Sequence, residues 1–166
     1  MFDAIFKRVS VRQYEDRPVD DEVISTILHA AMAAPSAGNQ RPWEYYVVKD
    51  KSKLQQLSEC SPYAESVKTA PLAFVACSRK KRILFPECVQ LDMSASVENL
   101  LLECVLNGVG GVWLAVAPFE ERVEAVNKVL DLPESLDAFA IIPVGHPLEE
   151  REQEDRFDEK RVHYVL

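Results

Sequence analysis

The chain has 166 residues, of which 48% are hydrophobic and 28% are charged, and its formal net charge is −8 at pH 7. This length fits one domain with a substantial core, and the composition is ordinary for a globular protein. The acidic balance argues against nucleic acid and anionic membranes as partners, because both select basic surfaces. We therefore expect a single domain, 1–166, that binds neither.

The sequence predicts a cytoplasmic protein without a metal site. Met1-Phe2-Asp3 leads straight into charged residues, so no signal peptide is expected. The longest uncharged run, Cys104 to Phe119, has 16 residues and is interrupted by three glycines, which is too short to cross a bilayer. The cysteines lack C-x-x-C spacing and lie far from the histidines, so we expect reduced, buried thiols at Cys60, Cys77, Cys88 and Cys104.

A short helix over 2–7 is predicted to lead into an extended segment, 8–12. Alternate residues of an extended backbone share one face, so Arg8, Ser10 and Arg12 are expected to point the same way. Two guanidinium groups and a hydroxyl on one side suit a small anion such as a phosphate monoester. The alternative is that these arginines pair with nearby acidic residues, namely Glu15, Asp16 and Asp20.

The next predicted helix begins near Pro18 and ends at Ala34, where the connector Ala34 to Trp43 follows. Two prolines, a glycine and an asparagine exclude regular structure there, so we expect a rigid, shaped loop. Ser36 and Asn39 place a hydroxyl and an amide on that loop, where binding groups are common. The alternative is a simple helix stop followed by a turn.

Helices and buried strands then alternate, which predicts a sandwich of the α/β or α+β class. The expected strands are 44–48, 71–77, 112–117 and 138–144, and the expected helices are 51–60, 86–107 and 120–130. Helix 86–107 is apolar around most of its circumference, and its polar residues fall in one narrow stripe, Asp92, Ser96, Asn99 and Glu103. A helix that is apolar around most of its circumference must be covered on several sides. In so small a domain we expect another copy of the chain to cover the second side, which predicts a homodimer.

Motifs for side-chain catalysis do not occur in the sequence. There is no G-x-S-x-G elbow and no phosphate-binding G-x-x-x-x-G-K loop, and Gly108-Val109-Gly110-Gly111 follows a helix instead of a strand. We find no carboxylate pair spaced for general acid–base catalysis. Anion-binding arginines beside a shaped loop therefore favour chemistry supplied by a phosphorylated cofactor.

An ordered set of short motifs resembles the nitroreductase family of FMN-dependent NAD(P)H oxidoreductases over essentially the whole chain. The motifs are Arg8-x-Ser10-x-Arg12, Ala34-Pro35-Ser36-x-x-Asn39-x-Arg41-Pro42-Trp43, Gly108-Val109-Gly110 through Trp113-Leu114, Leu132-Pro133-Glu134, Pro143-Val144-Gly145-His146-Pro147, and Arg156-Phe157-Asp158 through Tyr164. The resemblance implies an α+β fold with a central, mostly antiparallel sheet flanked by helices. It also implies an intertwined homodimer with FMN at two interface sites, and a C-terminal arm, 149–166, that packs on the partner.

The resemblance also assigns cofactor-binding roles. Arg8, Ser10 and Arg12 would hold the FMN phosphate, and the backbone of Val9 would line the flavin. The other subunit would contribute three further residues, Pro35, Ser36 and Asn39. The backbone of Leu114 and Ala115 would lie near the reactive side of the ring, and Arg156 would add a phosphate contact.

The implied activity is hydride transfer from NADH or NADPH through flavin N5 to a nitroaromatic, quinone or similar acceptor, by a ping-pong mechanism without a catalytic side chain. Many relatives have glutamine at the position of Arg41, and the short stretch between Gly110 and Glu120 predicts an open pocket. A second hypothesis is an FMN-binding sensor or storage protein without turnover. A third is a specialised reaction on the same scaffold, such as reductive dehalogenation.

Overall fold

The computed structural model describes residues 3–149 and 151–166. In this part of the chain the helices are α1 (Ala4–Lys7), α2 (Asp21–Met32), α3 (Lys51–Ser58), α4 (Val89–Leu106) and α5 (Glu120–Leu130). The strands are β1 (Trp43–Val48), β2 (Leu72–Arg79), β3 (Gly110–Gly111), β4 (Leu114–Ala115) and β5 (Leu136–Gly145). Phe2, at the start of the predicted helix over 2–7, lies outside the described residues.

The strands form one antiparallel sheet in the order β1-β2-β5-β3, and β4 also pairs with β5. Strand β2 is buried on both faces, as its continuous apolar sequence predicts. Phe74 on one face packs with residues of α2 and α4, whereas Val75 on the other packs with residues of α3 and α5. The predicted α+β class, with a central antiparallel sheet flanked by helices, is confirmed.

The strand predicted over 112–117 is two short strands instead. Gly110 pairs with Gly145 and Leu114 pairs with Ile141, so both pieces keep one register along β5. This register places the interruption, at Val112, opposite Pro143. Proline has no backbone N–H to donate, and the ladder is therefore broken at that point.

The polar stripe of α4 faces the interior of the protomer. Ser96 is fully buried, and its hydroxyl donates to Ala31 O of α2 at 2.7 Å. The Asn99 amide donates to Ala30 O, on the same helix, at 3.1 Å. The opposite side of α4 therefore faces outward. Leu91 lies on this side and is 70% exposed, and the residues that follow it at helical spacing lie on the same side.

The C-terminal segment makes few contacts with the rest of the chain. The Gln153 amide, oriented to donate, lies 3.0 Å from the carbonyl oxygens of Ile5 and Phe6, so the segment starts across α1. Beyond it Phe157 and Tyr164 are exposed. Packing of the arm 149–166 on a partner subunit stays a prediction.

Candidate functional site

The segment between α1 and Tyr14 is fixed by backbone and tyrosine hydrogen bonds. Val11 N donates to Gly111 O at 3.0 Å. The buried Tyr14 hydroxyl donates to Val11 O at 2.7 Å, with Pro143 O at 3.0 Å, and burial raises the pKa of this phenol so that it stays protonated. A Cβ on Gly110 would lie 2.5 Å from Val11 Cγ2, so glycine allows the segment to approach the sheet closely.

Arg8 enters a first cleft of about 770 Å³ beside the C-terminal half of α4. The cleft is also lined by Val9, Leu101 and the run Gly108–Gly111. Arg8 Nε lies 3.6 Å from Glu98 Oε1 on α4, which leaves the two terminal guanidinium nitrogens available to a ligand. In the described structure neither Arg8 nor Arg12 pairs with the acidic residues at 15–20, contrary to the alternative interpretation of this motif.

Arg12 points instead into a second cleft of about 830 Å³. Leu114 and Ala115, about a hundred residues away in sequence, line the same cleft. The other wall comes from 61–69, where Lys68 and Glu65 form an ion pair at 2.9 Å. The segment 8–13 thus separates the two clefts, with Arg8 on one side and Arg12 on the other. The expectation that Arg8 and Arg12 point the same way is therefore wrong, because the segment is not a regular strand whose alternate residues share one face.

The connector 34–43 is a fixed loop attached to the N-terminal end of α4. Asp92 is 5% exposed, and its carboxylate accepts from Ala37 N at 2.9 Å and from Gln40 Nε2 at 2.6 Å. Gln40 Oε1 accepts from Leu84 N and Phe85 N at 3.0 and 2.9 Å. These contacts order the loop as the sequence predicts.

The outward groups of this loop are presented by an unusual backbone. Asn39 and Arg41 have positive φ angles of 54° and 45°, and Arg41 N donates to Ser36 Oγ at 2.9 Å. Within the described residues, the Asn39 side-chain amide makes no hydrogen bond and is exposed. Pro35 is exposed beside it.

The structure separates the two groups of predicted site residues within one protomer. The loop with Ser36 is attached at Asp92, whereas the first cleft reaches Leu101 and Val105 on the same helix. At a rise of 1.5 Å per residue these points are roughly 14–20 Å apart. Arg156 is exposed and lines neither of these clefts. Ser10 is half-buried and does not line them either.

Sequence reasoning missed several residues of the second cleft, above all Arg122. Its Nη1 donates to Ala115 O at 3.1 Å, and its guanidinium carbon lies 4.1 Å from the centre of the Phe119 ring. The Tyr63 ring flanks it at 5.6 Å. A single arginine in the first turn of a helix has no motif around it, so only the fold reveals this cluster.

The thiols are partly as predicted. Cys77 and Cys104 are buried, and burial raises the pKa of Cys77 to about 12 and also raises that of Cys104. Cys60 and Cys88 are only partly buried, which corrects the expectation of four buried thiols, because both lie at helix ends near the surface. All four are free cysteines.

The described residues contain neither a candidate metal-binding cluster nor a helix that could span a membrane. Across 3–149 and 151–166, no cluster of three or more His, Cys, Asp or Glu side chains could hold a metal ion. Over the same ranges no helix is both long and apolar enough to cross a membrane.

Comparison with known proteins agrees with this geometry. The model of the Nitroreductase family matches residues 5–81 and 56–146. A protein of Archaeoglobus fulgidus named "Putative NADH dehydrogenase/NAD(P)H nitroreductase" is 40% identical over 163 residues, which cover 96% of this chain and 94% of the relative.

Solved structures give the same result. The "Putative NADH Oxidase" of Clostridium acetobutylicum superposes with a TM-score of 0.94 at 43% identity, covering 97% of this chain and 98% of the other. An FMN-dependent nitroreductase of Clostridium difficile R20291 gives a TM-score of 0.91 at 31% identity, covering 99% and 98% of the two chains.

A central antiparallel sheet flanked by helices is thus the fold that this chain shares with these oxidoreductases. The chain belongs to the nitroreductase family.

Proposed function

We propose that this protein is an FMN-dependent oxidoreductase that transfers hydride from NADH or NADPH to a nitroaromatic, quinone or similar small acceptor by a ping-pong mechanism. It acts as a homodimer in the cytoplasm. Family membership supports the oxidoreductase activity. The similar structure that is described as FMN-dependent supports the cofactor.

The observation that carries the proposal is the composition of the second cleft. Arg12 belongs to the segment that the family resemblance assigns to the FMN phosphate, whereas the resemblance places the backbone of Leu114 and Ala115 near the reactive side of the ring. Both line one cleft although they are distant in sequence. A volume of about 830 Å³ lies within the usual range for small-molecule sites.

The residues present fit FMN on chemical grounds. Arg8 in the first cleft has free terminal nitrogens, and Arg12 in the second cleft has no ion-pair partner among the described residues. Both are cations in a chain of net charge −8, and each can bind phosphate oxygens bidentately. The buried side chain of Leu114 leaves its backbone at the cleft, and Ala115 adds no bulk beside it. A flat ring system with an anionic tail therefore has matching partners here.

When bound, FMN would supply the hydride chemistry, and the protein would bind and orient. Arg12 would place positive charge where negative charge develops in the reduced cofactor. Trp113, half-buried and packed on Phe139 with ring centres 5.7 Å apart, would exclude water from one end of the cleft. Burial raises the pKa values of Tyr14, Cys77 and Cys104, so these groups offer no anionic nucleophile near neutral pH.

The homodimer would complete the site at its Arg8 end, which lies in the first cleft. Ser36 and Asn39 lie roughly 14–20 Å along α4 from the first cleft of their own protomer. The same groups of a second copy could approach that cleft if two α4 helices packed together. Exposed Phe6 and Leu91 beside and on α4 support this packing, since large apolar side chains at 70% exposure favour burial by a partner.

The decisive experiment is anaerobic reduction of the FMN-loaded protein. We expect purified protein to be yellow, NADH or NADPH to bleach the flavin absorbance, and a nitroaromatic or quinone to restore it. Bound FMN that neither dinucleotide bleaches would establish the binding-only hypothesis instead. Colourless protein that takes up no FMN when dimeric would contradict the proposal entirely.

A matched pair of variants controls for the phosphate site. Arg8→Gln should weaken FMN binding by about tenfold or more, because one charge-assisted interaction is worth about 1.5–3 kcal/mol. Lys128→Gln makes a similar charge change at an exposed position of α5 and should leave FMN affinity unchanged. Fluorescence titration of FMN measures both.

A further inference from the structure

Arg122 is held in a fixed position at the mouth of the second cleft. Its Nη1 donates to Ala115 O at 3.1 Å, and its guanidinium lies over the Phe119 ring at 4.1 Å. These contacts use one of five N–H donors and leave the rest available. A cation that is already ordered loses little entropy when it binds a ligand.

One of the two aromatic rings beside this cation, Tyr63, lines the cleft. Tyr63 is 72% exposed and lies 5.6 Å from the guanidinium, whereas the guanidinium covers one face of the Phe119 ring. An exposed ring beside a fixed guanidinium offers stacking surface to a planar aromatic ligand.

The charge of this cleft is opposite to that of the whole chain. Among the described lining residues, Lys68 and Glu65 neutralise each other at 2.9 Å, which leaves Arg12 and Arg122 as uncompensated cations. The protein has a net charge of −8, so this positive cleft is a local reversal. A cleft of one sign concentrates ligands of the other sign.

We infer that Arg122 is a specificity-determining residue that selects aromatic ligands carrying a negative charge. The anion is a carboxylate or sulfonate of the electron acceptor, or a phosphate of the dinucleotide. The ligand ring stacks beside Tyr63, and its anionic group accepts from the free nitrogens of Arg122. This inference rests on the proposed function in that the acceptor enters the second cleft.

The test compares 4-nitrobenzoate with 4-nitrobenzyl alcohol, which are similar in size and differ in charge. Arg122→Gln should raise KM for 4-nitrobenzoate about tenfold and KM for the alcohol less than about twofold, with kcat little changed. Arg122→Lys should recover part of the loss because it keeps the charge. If Arg122→Gln raises only the KM for NADH or NADPH, the anion that Arg122 binds is a phosphate of the dinucleotide.

Lys128→Gln, on the same helix and exposed, is the control for net charge and should change neither acceptor's KM. A purely structural role, in which Arg122 only supports the Ala115 carbonyl, would impair both acceptors equally. Equal impairment overturns the inference.

Calorimetric titration of the same two compounds into FMN-loaded protein needs no turnover. The wild type should bind 4-nitrobenzoate more tightly than the alcohol, and Arg122→Gln should abolish the difference. Equal binding with an unchanged KM for NADH and NADPH overturns the inference. A preserved binding preference without any NAD(P)H oxidation overturns only the proposed function.

Discussion

Gln40 shows how one buried amide can shape a loop. Its Nε2 donates to Asp92 at 2.6 Å and to Phe85 O at 3.1 Å, while its Oε1 accepts from Leu84 N and Phe85 N. The side chain therefore joins the loop, the N-terminal end of α4 and the segment before α4. Ser36 and Asn39 owe their presentation to these contacts.

Gln40→Ala should destabilise the protein by about 3 kcal/mol or more. The substitution leaves Leu84 N and Phe85 N without partners and removes one donor from the buried Asp92 carboxylate, and such losses cost about 1–3 kcal/mol each. Urea unfolding at fixed protein concentration measures the change. Gln90→Ala, at an exposed position of α4, is the control and should stay within about 0.5 kcal/mol of wild type.

The sequence indicates some of the residues that shape or form the candidate site and gives no sign of others. Ser36 and Asn39 could be singled out because proline and glycine around them predict a fixed loop. Gln40 could not, since its partners lie 44 to 52 residues away in the chain and nothing local indicates its burial. Arg122 is hidden for the same reason.

The polar stripe of α4 joins three secondary-structure elements. Ser96 Oγ donates to Ala31 O of α2 and accepts from the Tyr45 hydroxyl of β1 at 2.6 Å. Burial raises the pKa of Tyr45 to about 12, so this hydroxyl remains a donor at neutral pH. One line of hydrogen bonds thus fixes α2, α4 and the edge of the sheet together.

A double-mutant cycle tests this coupling. Ser96→Ala should lower the free energy of unfolding by about 2 kcal/mol, because it leaves the Tyr45 hydroxyl and Ala31 O unpaired. Adding Tyr45→Phe should cost less than it does alone, since it removes the unpaired hydroxyl. Additive losses would show that the pair is not coupled. Ser94→Ala on the same helix, where the hydroxyl only bonds Gln90 O, should be close to neutral.

For secondary structure, the sequence predicts whether an element is a helix or a strand better than it predicts where a strand is interrupted. Periodicity predicted β2, β5 and the long helices because each is a continuous apolar pattern. The break between β3 and β4 was not predictable, because it depends on the register that places Val112 opposite Pro143. The inward direction of the α4 stripe likewise depends on which helix packs beside it.

The whole molecule exposes an apolar surface around α4. Its outward residues are spaced at helical intervals and α1 lies beside them, so that Leu91, Leu102, Leu106, Ile5 and Phe6 share this side. Because α4 is apolar around most of its circumference, the sequence predicted that a second subunit covers its outer side. The structure locates the surface that such a cover would bury, and the dimer itself remains our proposal.

Leu91→Glu should convert a dimer into folded monomers. Burying one leucine contributes about 1.5–3 kcal/mol. A twofold interface contains this leucine from both subunits, so the substitution removes two such contributions. Sedimentation equilibrium should show dissociation at concentrations where the wild type is dimeric, with FMN affinity reduced in parallel.

Val47→Glu provides the matched control. Val47 is 37% exposed on the edge strand β1 and not on the outward side of α4, and its substitution should leave the assembly intact. A Leu91→Glu protein that remains dimeric would show that the outer face of α4 is not the interface.

The distance along α4 between the Ser36 loop and the first cleft has a genetic consequence. In the proposed dimer each site takes its phosphate-binding arginines from one chain and its loop from the other. A chain defective only in Arg8 and a chain defective only in the loop would therefore complement each other. Their mixed pair would hold one site with both defects and one that is fully intact.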